Sequence, residues 1–163
     1  MIGASPDVGE RAALALRPMQ EADLAAVLEI EASAFPTPWS RRAFETELRT
    51  AWSIATVAVE AAATPRPRVI GYACAWHVAD EMQLLNVAVH PARRRLGVGK
   101  ILVRDVVRCA GERGVRSVLL EVRVANVPAQ RLYGRLGFRG MGIRRGYYGP
   151  GQDGLLMELR LGR

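Results

Sequence analysis

The sequence predicts an α/β domain, with a mixed sheet covered by helices on both of its faces. Three observations predict it. Runs rich in β-branched, aromatic and small residues alternate with segments of helical apolar spacing, in the order β-α-α-β-β-β-α-β-α-β-β. The 163 residues suit one domain, since domains commonly hold about 100–200 residues. Half of the chain is apolar and 24% is charged, which fits a packed globular domain and not a disordered or collagen-like chain.

Residues 1–12 read as a short flexible tail, leaving residues 13–163 as a single domain without an interior linker. Leu14 to Leu16 is a brief apolar strand, ended by Arg17-Pro18. Glu21 to Ala34 places Leu24, Val27, Leu28 and Ile30 at helical spacing. Ser40 can cap a second helix that carries Phe44 and Leu48. Trp52 to Glu60 and Val69 to Val78 then read as strands, joined by a connection whose prolines keep it out of a sheet interior. A third strand runs from about Met82 to Val89. Gly97 to Gly114 is a helix with Ile101, Leu102, Val106 and Cys109 expected on one face. Val118 to Val124 is a strand, and Val127 to Leu136 is a short helix closed by Gly137. Strands over about Arg139 to Tyr148 and Leu155 to Leu161 finish the domain.

Charge divides the chain unevenly. Residues 1–90 hold 7 arginines against 11 acids, whereas residues 91–163 hold 16 basic residues against 5 acids. A basic half of this kind suggests an anionic ligand or partner. No run approaches the ~18 apolar residues of a membrane-spanning helix, so no membrane partner is expected. The N-terminus lacks the pattern of a secretory signal. Cys74 and Cys109 form no C-x-x-C pair, and with only His77 and His90 beside them no metal site is expected. A reduced cytoplasmic protein is the default.

The most informative stretch is Leu85 to Lys100, where a strand feeds a basic loop and Gly97 and Gly99 open a helix. Glycines let backbone N–H groups approach a ligand, and the helix start adds orphan donors, so the arrangement suits phosphate or pyrophosphate. A P-loop would need Gly at 94 and Ser or Thr at 101, where this chain has Arg94 and Ile101. A dinucleotide fingerprint would need a third glycine at the position of Leu102. By itself the segment is equally an Arg-rich surface loop at an ordinary helix start.

Arg94-x-x-Gly97-x-Gly99 on a strand-loop-helix resembles the acetyl-coenzyme A loop of the GNAT acyltransferases. Further segments recur in the same order in one subgroup, the bacterial ribosomal-protein-alanine N-acetyltransferases of the RimI type. These are Phe35 to Ser40, Leu120 to Arg123, Asn126, Leu132-Tyr133, Leu136 to Phe138, and Ile143-Arg144-Arg145-x-Tyr147-Tyr148. The resemblance covers about residues 14 to 160 and implies a GNAT-type α/β fold, a mixed, mostly antiparallel twisted sheet with helices on both faces, and transfer of acetyl from acetyl-CoA to an amine. It implies that the backbone of Val87, Ala88 and Val89 holds the pantetheine arm, with a β-bulge aiming an N–H at the acetyl carbonyl. It implies that Arg94, Arg95, Leu96, Gly97, Val98, Gly99 and Lys100 cradle the pyrophosphate, and that Asn126 and Tyr133 complete the cofactor site. Glu121 becomes the candidate base and Tyr133 the candidate acid for the departing thiolate. Phe35, Pro38, Trp39, Arg144, Tyr147 and Tyr148 would flank the acceptor peptide. The subgroup commonly has Asn where this chain has Gly146.

The residues alone leave other readings open. Glu121 shares a strand face with Leu119 and Arg123, as a solvated ion pair also would, and Arg123 there would favour the carboxylate. Tyr133 on a helix with Val127, Leu132 and Leu136 also suits simple packing. The expected acceptor is a protein α-amine, that of a ribosomal N-terminal alanine in particular. An α-amine, of pKa about 7.7–8.0 against about 10.4 for lysine, needs only a modest base. Lysine side chains, small-molecule amines, and a non-catalytic RNA-contacting role are the alternatives. Arg93-Arg94-Arg95 lacks the interleaved aromatics of single-strand binders, which does not favour direct nucleic-acid binding.

Overall fold

The computed structural model describes residues 13–61 and 67–162. The predicted tail over residues 1–12 and most of the connection after Glu60 lie outside the described residues. The strands are β1 (Leu14–Pro18), β2 (Ser53–Glu60), β3 (Arg68–Val78), β4 (Glu81–Val89), β5 (Ser117–Arg123), β6 (Arg139–Arg144) and β7 (Gly154–Arg160). The helices are α1 (Leu24–Ala34), α2 (Arg41–Arg49), α3 (Val98–Glu112) and α4 (Val127–Arg135). One seven-stranded sheet has the order β1-β2-β3-β4-β5-β7-β6. Only the β4–β5 pair is parallel. The predicted fold class is the observed one.

Local chemistry sets most element ends. The Ser40 hydroxyl accepts from the Ala43 N–H at 3.2 Å and caps α2, as expected from the sequence. Asn126 caps α4 in the same way, accepting from Ala129 at 3.2 Å, with Pro128 in the first turn. Gly97 caps α3 with φ +81°, a left-handed conformation suited to glycine. The last hairpin differs from expectation. β6 stops at Arg144 because Gly146 and Gly149 take φ of +65° and +132°, which no strand continues through. The Gly146 N–H donates to Asp153 at 2.8 Å and closes the resulting loop.

Two cores sandwich the sheet. Against one face pack α3 and α4, burying Leu102, Val103, Val106 and Tyr133 with Met82, Leu84, Val118 and Leu120. Against the other pack α1 and α2, burying Leu24, Val27, Ile30 and Phe44 on Val57, Tyr72 and Cys74. Each fully buried large apolar side chain contributes roughly 1.5–3 kcal/mol. On α3 the buried stripe is Val98, Leu102, Val103, Val106 and Ala110, while Ile101 turns outward, contrary to expectation.

What positions the site is a defect in this sheet. β4 and β5 pair for only four residues, from Glu81 opposite Ser117 to Leu84 opposite Leu120. Beyond them, β4 keeps only β3 as a partner and β5 keeps only β7. At the same point β3 pairs Ala75 with Leu84 but Cys74 with Asn86, so Leu85 is an extra, bulged residue on β4. The two strands part there and leave an opening in the middle of the sheet.

Candidate active site

A cavity of about 410 Å³ fills that opening. Its walls come from the α1–α2 loop (Phe35, Pro36, Thr37 and Trp39), from β4 (Leu84 to Val87) and from β5 (Leu120 to Arg123). Asn126, Ala129 and Tyr133 close it from the start of α4, and Tyr148 from the last loop. Of the residues singled out in the sequence, Phe35, Trp39, Val87, Glu121, Asn126, Tyr133 and Tyr148 thus converge on one cavity. Pro38, Arg144 and Tyr147 stand outside its lining, as do Ala88 and Val89. Ala88 packs into the α1–α2 core, and Val89 packs towards α3.

Period-two alternation on β5 sends Val118, Leu120 and Val122 into the α3–α4 core and leaves Glu121 on the opposite face. The cationic partner of Glu121 is Arg144 on β6, at 3.0 Å, and not Arg123, as the strand face had suggested. Arg123 instead hydrogen-bonds the Gln152 side chain and lies 4.4 Å over the Tyr148 ring. The second Glu121 oxygen, Oε2, is buried and has no hydrogen-bond partner among the described residues. Leaving such an oxygen unsatisfied costs about 1–3 kcal/mol, a cost that the neighbouring Tyr147 hydroxyl, water or a bound amine can remove.

Two phenols, Tyr147 and Tyr148, feel the Glu121 charge, and a third, Tyr133, lines the same cavity. Tyr133 is buried, packs edge-on to Phe138 at 5.8 Å, and has its pKa pushed up to about 12 by burial first and by Tyr148 second. Burial and then the Glu121 charge raise Tyr148, while Tyr147 is raised by burial, by its hydroxyl's hydrogen-bonding approach to Glu121 and by the Glu121 charge. The two rings meet edge to face at 4.9 Å. All three therefore stay protonated and can donate at neutral pH.

One cavity residue carries no sequence motif. Glu31 on α1 is 1% exposed. Its Oε1 accepts the Trp39 backbone N–H at 2.9 Å. Its Oε2 accepts the Asn86 amide at 2.8 Å and the Tyr72 hydroxyl. Desolvation raises its pKa against the opposing pull of these bonds. The available signal was a charged residue on the apolar stripe of α1, one position after Ile30.

The basic loop lies beyond the far end of β4. Arg95 takes φ +64° and Gly97 φ +81°, so two left-handed residues turn the chain sharply into α3. The first amides of that helix lack acceptors within it. At Gly99 an added Cβ would lie 3.6 Å from Leu132 and 3.7 Å from Val89, ordinary contact distances. Arg94, Arg95, Leu96 and Lys100 are exposed, and the Arg94 Nε donates to the Val89 carbonyl at 3.3 Å. Arg93, by contrast, is held by Glu60 at 3.0 Å. Exposed cations beside orphan amides fit an anion such as a pyrophosphate. His90 caps the turn before the loop through the Ala92 N–H, at 3.1 Å. Among the described residues no cluster of three metal-ligating side chains occurs, and no helix is long and apolar enough to cross a membrane.

The chain is similar to proteins of known kind along most of its length. A Bacillus subtilis (strain 168) protein provisionally named [ribosomal protein bS18]-alanine N-acetyltransferase is 38% identical over 144 residues, 88% of this chain and 93% of its own. The crystal structure of the Escherichia coli ribosomal-protein-S18-alanine N-acetyltransferase superposes with a TM-score of 0.81 at 30% identity, covering 93% of this chain and 96% of that one. Arabidopsis thaliana NAA60 in complex with acetyl-CoA shares the fold, with a TM-score of 0.82 at 24% identity over 91% of this chain and 99% of that one. Residues 24–138 match the acetyltransferase (GNAT) family, and with these likenesses the chain belongs to that family.

Proposed function

We propose that this acetyl-CoA-dependent enzyme acetylates protein N-termini, with an N-terminal alanine of a ribosomal protein as the favoured acceptor. The unpartnered Glu121 Oε2 at the cavity wall carries the reading. An acceptor ammonium is a donor of the charge and size that suits it. Arg144 holds the other oxygen and aims the carboxylate. Glu121 then receives a proton from the amine, directly or through one water. The task is modest, because an α-amine is neutral at pH 7 at about 3.4 kcal/mol less cost than a lysine.

Acetyl-CoA supplies the acetyl thioester when bound. The residues present fit it, with the Arg94–Lys100 loop for its pyrophosphate and the backbone of Val87, Ala88 and Val89, just past the bulge, for its arm. Asn126 stands where α4 meets the cavity, although its side-chain oxygen already caps that helix. Tyr133 keeps its proton near neutrality and is the candidate donor to the leaving thiolate. With the phenol at about 12 and a thiolate at about 8.5, hydrogen bonding to the departing sulfur is favourable while full proton transfer is uphill. Phe35, Trp39 and Tyr148 wall the acceptor side. No step calls for a metal or nucleic acid, and a cytoplasmic setting is consistent with a ribosomal acceptor.

The test offers acetyl-CoA with peptides beginning Ala-Arg, with N-terminally blocked lysine peptides and with polyamines, and follows thiol release. Preferred turnover of the free N-terminus is expected. Preference for blocked lysine peptides would overturn the reading.

A further inference from the structure

Glu31 makes its three contacts to three different parts of the fold. The Trp39 N–H belongs to the loop that forms the acceptor wall, Asn86 directly follows the Leu85 bulge, and Tyr72 stands on β3. Both carboxylate oxygens are thereby occupied by donors. Unlike Glu121, it has no oxygen left for a reacting amine.

A carboxylate is an unusual choice for a helix stripe beside Ile30. Burying it in place of an apolar side chain costs several kcal/mol unless hydrogen bonds offset the loss of water. The contacts also have directions that apolar packing lacks. The backbone N–H of Trp39 can be held by an acceptor only, and Glu31 is the acceptor that reaches it.

We propose that Glu31 is a positioning residue, which fixes the acceptor loop Phe35–Trp39 against the bulged segment of β4 and so sets the width of the acceptor cleft. The proposal rests on the acetyl-transfer reading for its kinetic consequence but not for its structural one. Loosening this tie widens the acceptor side and leaves the pyrophosphate loop, at the other end of β4, as it was.

The test is Glu31→Gln, which keeps the shape, removes the charge and sets an amide N–H against the Asn86 amide. Trp76→Phe is the stability control: Trp76 donates to buried Glu47 at 2.7 Å, away from the cavity. In Glu31→Gln the acceptor-peptide KM is expected to rise about tenfold, the scale of a lost charged hydrogen bond, with acetyl-CoA KM within about twofold of wild type. In Trp76→Phe the melting temperature falls and both KM values hold. Hydrogen exchange gives a readout independent of turnover, in which amides of residues 35–39 lose protection in Glu31→Gln only. If Glu31→Gln does not fold, Glu31→Asp, too short to span Trp39 and Asn86 together, is expected to give the same KM split and exchange pattern. Equal acceptor KM in wild type and variant, or unchanged exchange at residues 35–39, overturns the proposal. A wild-type enzyme that exchanges as expected but acetylates no N-terminus would instead overturn the acceptor reading alone.

Discussion

At the scale of single residues, the site turns on which oxygen is free. Arg144 occupies one Glu121 oxygen and nothing among the described residues occupies the other. Glu121→Gln is therefore expected to lower kcat by on the order of 10²-fold with little change in acetyl-CoA KM, and Tyr133→Phe to lower it similarly. Steady-state rates across pH check both, and near-normal rates in the two variants would remove the assigned roles. Tyr133 adds a titration signature. Its phenol ionises near pH 12 in the folded protein, against about 10 in the unfolded chain. The native state thus binds the extra proton, and its stability declines as pH rises from about 10 towards 12. Tyrosinate absorbance should lose, in Tyr133→Phe, one phenol's worth of its component near pH 12. Glu121 and Tyr133 were legible because a motif marks them. Glu31 was not, because a single carboxylate in a helix gives no sign that two strands and a loop will surround it.

At the scale of elements, strand and helix identities followed from periodicity, while the devices that create the cavity did not. Along Met82, Leu84, Asn86 and Ala88 every second residue is buried, as in an unbroken strand. Yet Met82 and Leu84 belong to the α3–α4 core and Ala88 to the α1–α2 core. The bulge at Leu85 swaps the faces, and one added leucine in an apolar run leaves no trace in the alternation. The Gly97 turn was legible, and it contrasts usefully with Gly71. An added Cβ at Gly97 meets nothing within 4 Å, so Gly97→Ala costs only the left-handed backbone, about 1–2 kcal/mol. At Gly71 the Cβ would stand 3.1 Å from the Ala88 carbonyl oxygen, 3.1 Å from Leu102 and 3.3 Å from Val98, so β4 and the first turns of α3 must give by a few tenths of an ångström. Gly71→Ala is expected to lose about 1–3 kcal/mol with acetyl-CoA affinity lowered through a displaced helix start. Urea unfolding and coenzyme titration of both variants check this. A Gly71→Ala protein with unchanged stability and affinity would mean that α3 is not seated as described.

At the scale of the molecule, the folded chain sorts the charges that the sequence only counted. Several arginines of the basic half are internally compensated: Arg93 by Glu60, Arg116 by Asp80, Arg144 by Glu121, and Arg108 by both Asp105 and Glu112. Arg94, Arg95 and Lys100 have no carboxylate partner among the described residues, and they cluster where α3 begins. Other arginines of this half, among them Arg104, Arg113, Arg131, Arg135, Arg139 and Arg145, also lack a carboxylate partner among the described residues, but they are spread over the surface, whereas Arg94, Arg95 and Lys100 stand together where a polyanionic coenzyme would meet them. Raising ionic strength from about 0.01 to 0.1 M shortens the screening length from about 30 to about 10 Å. Acetyl-CoA KM should rise several-fold over that range. The melting temperature should barely move, since exposed ion pairs contribute only about 0–1 kcal/mol each. Arg95→Gln should flatten the salt dependence of KM, whereas Arg104→Gln, on an exposed turn of α3 outside the loop, should leave its slope unchanged. Equal slopes in all three proteins would mean that the excess charge acts as a diffuse field, and the loop would lose its assignment as the anion site.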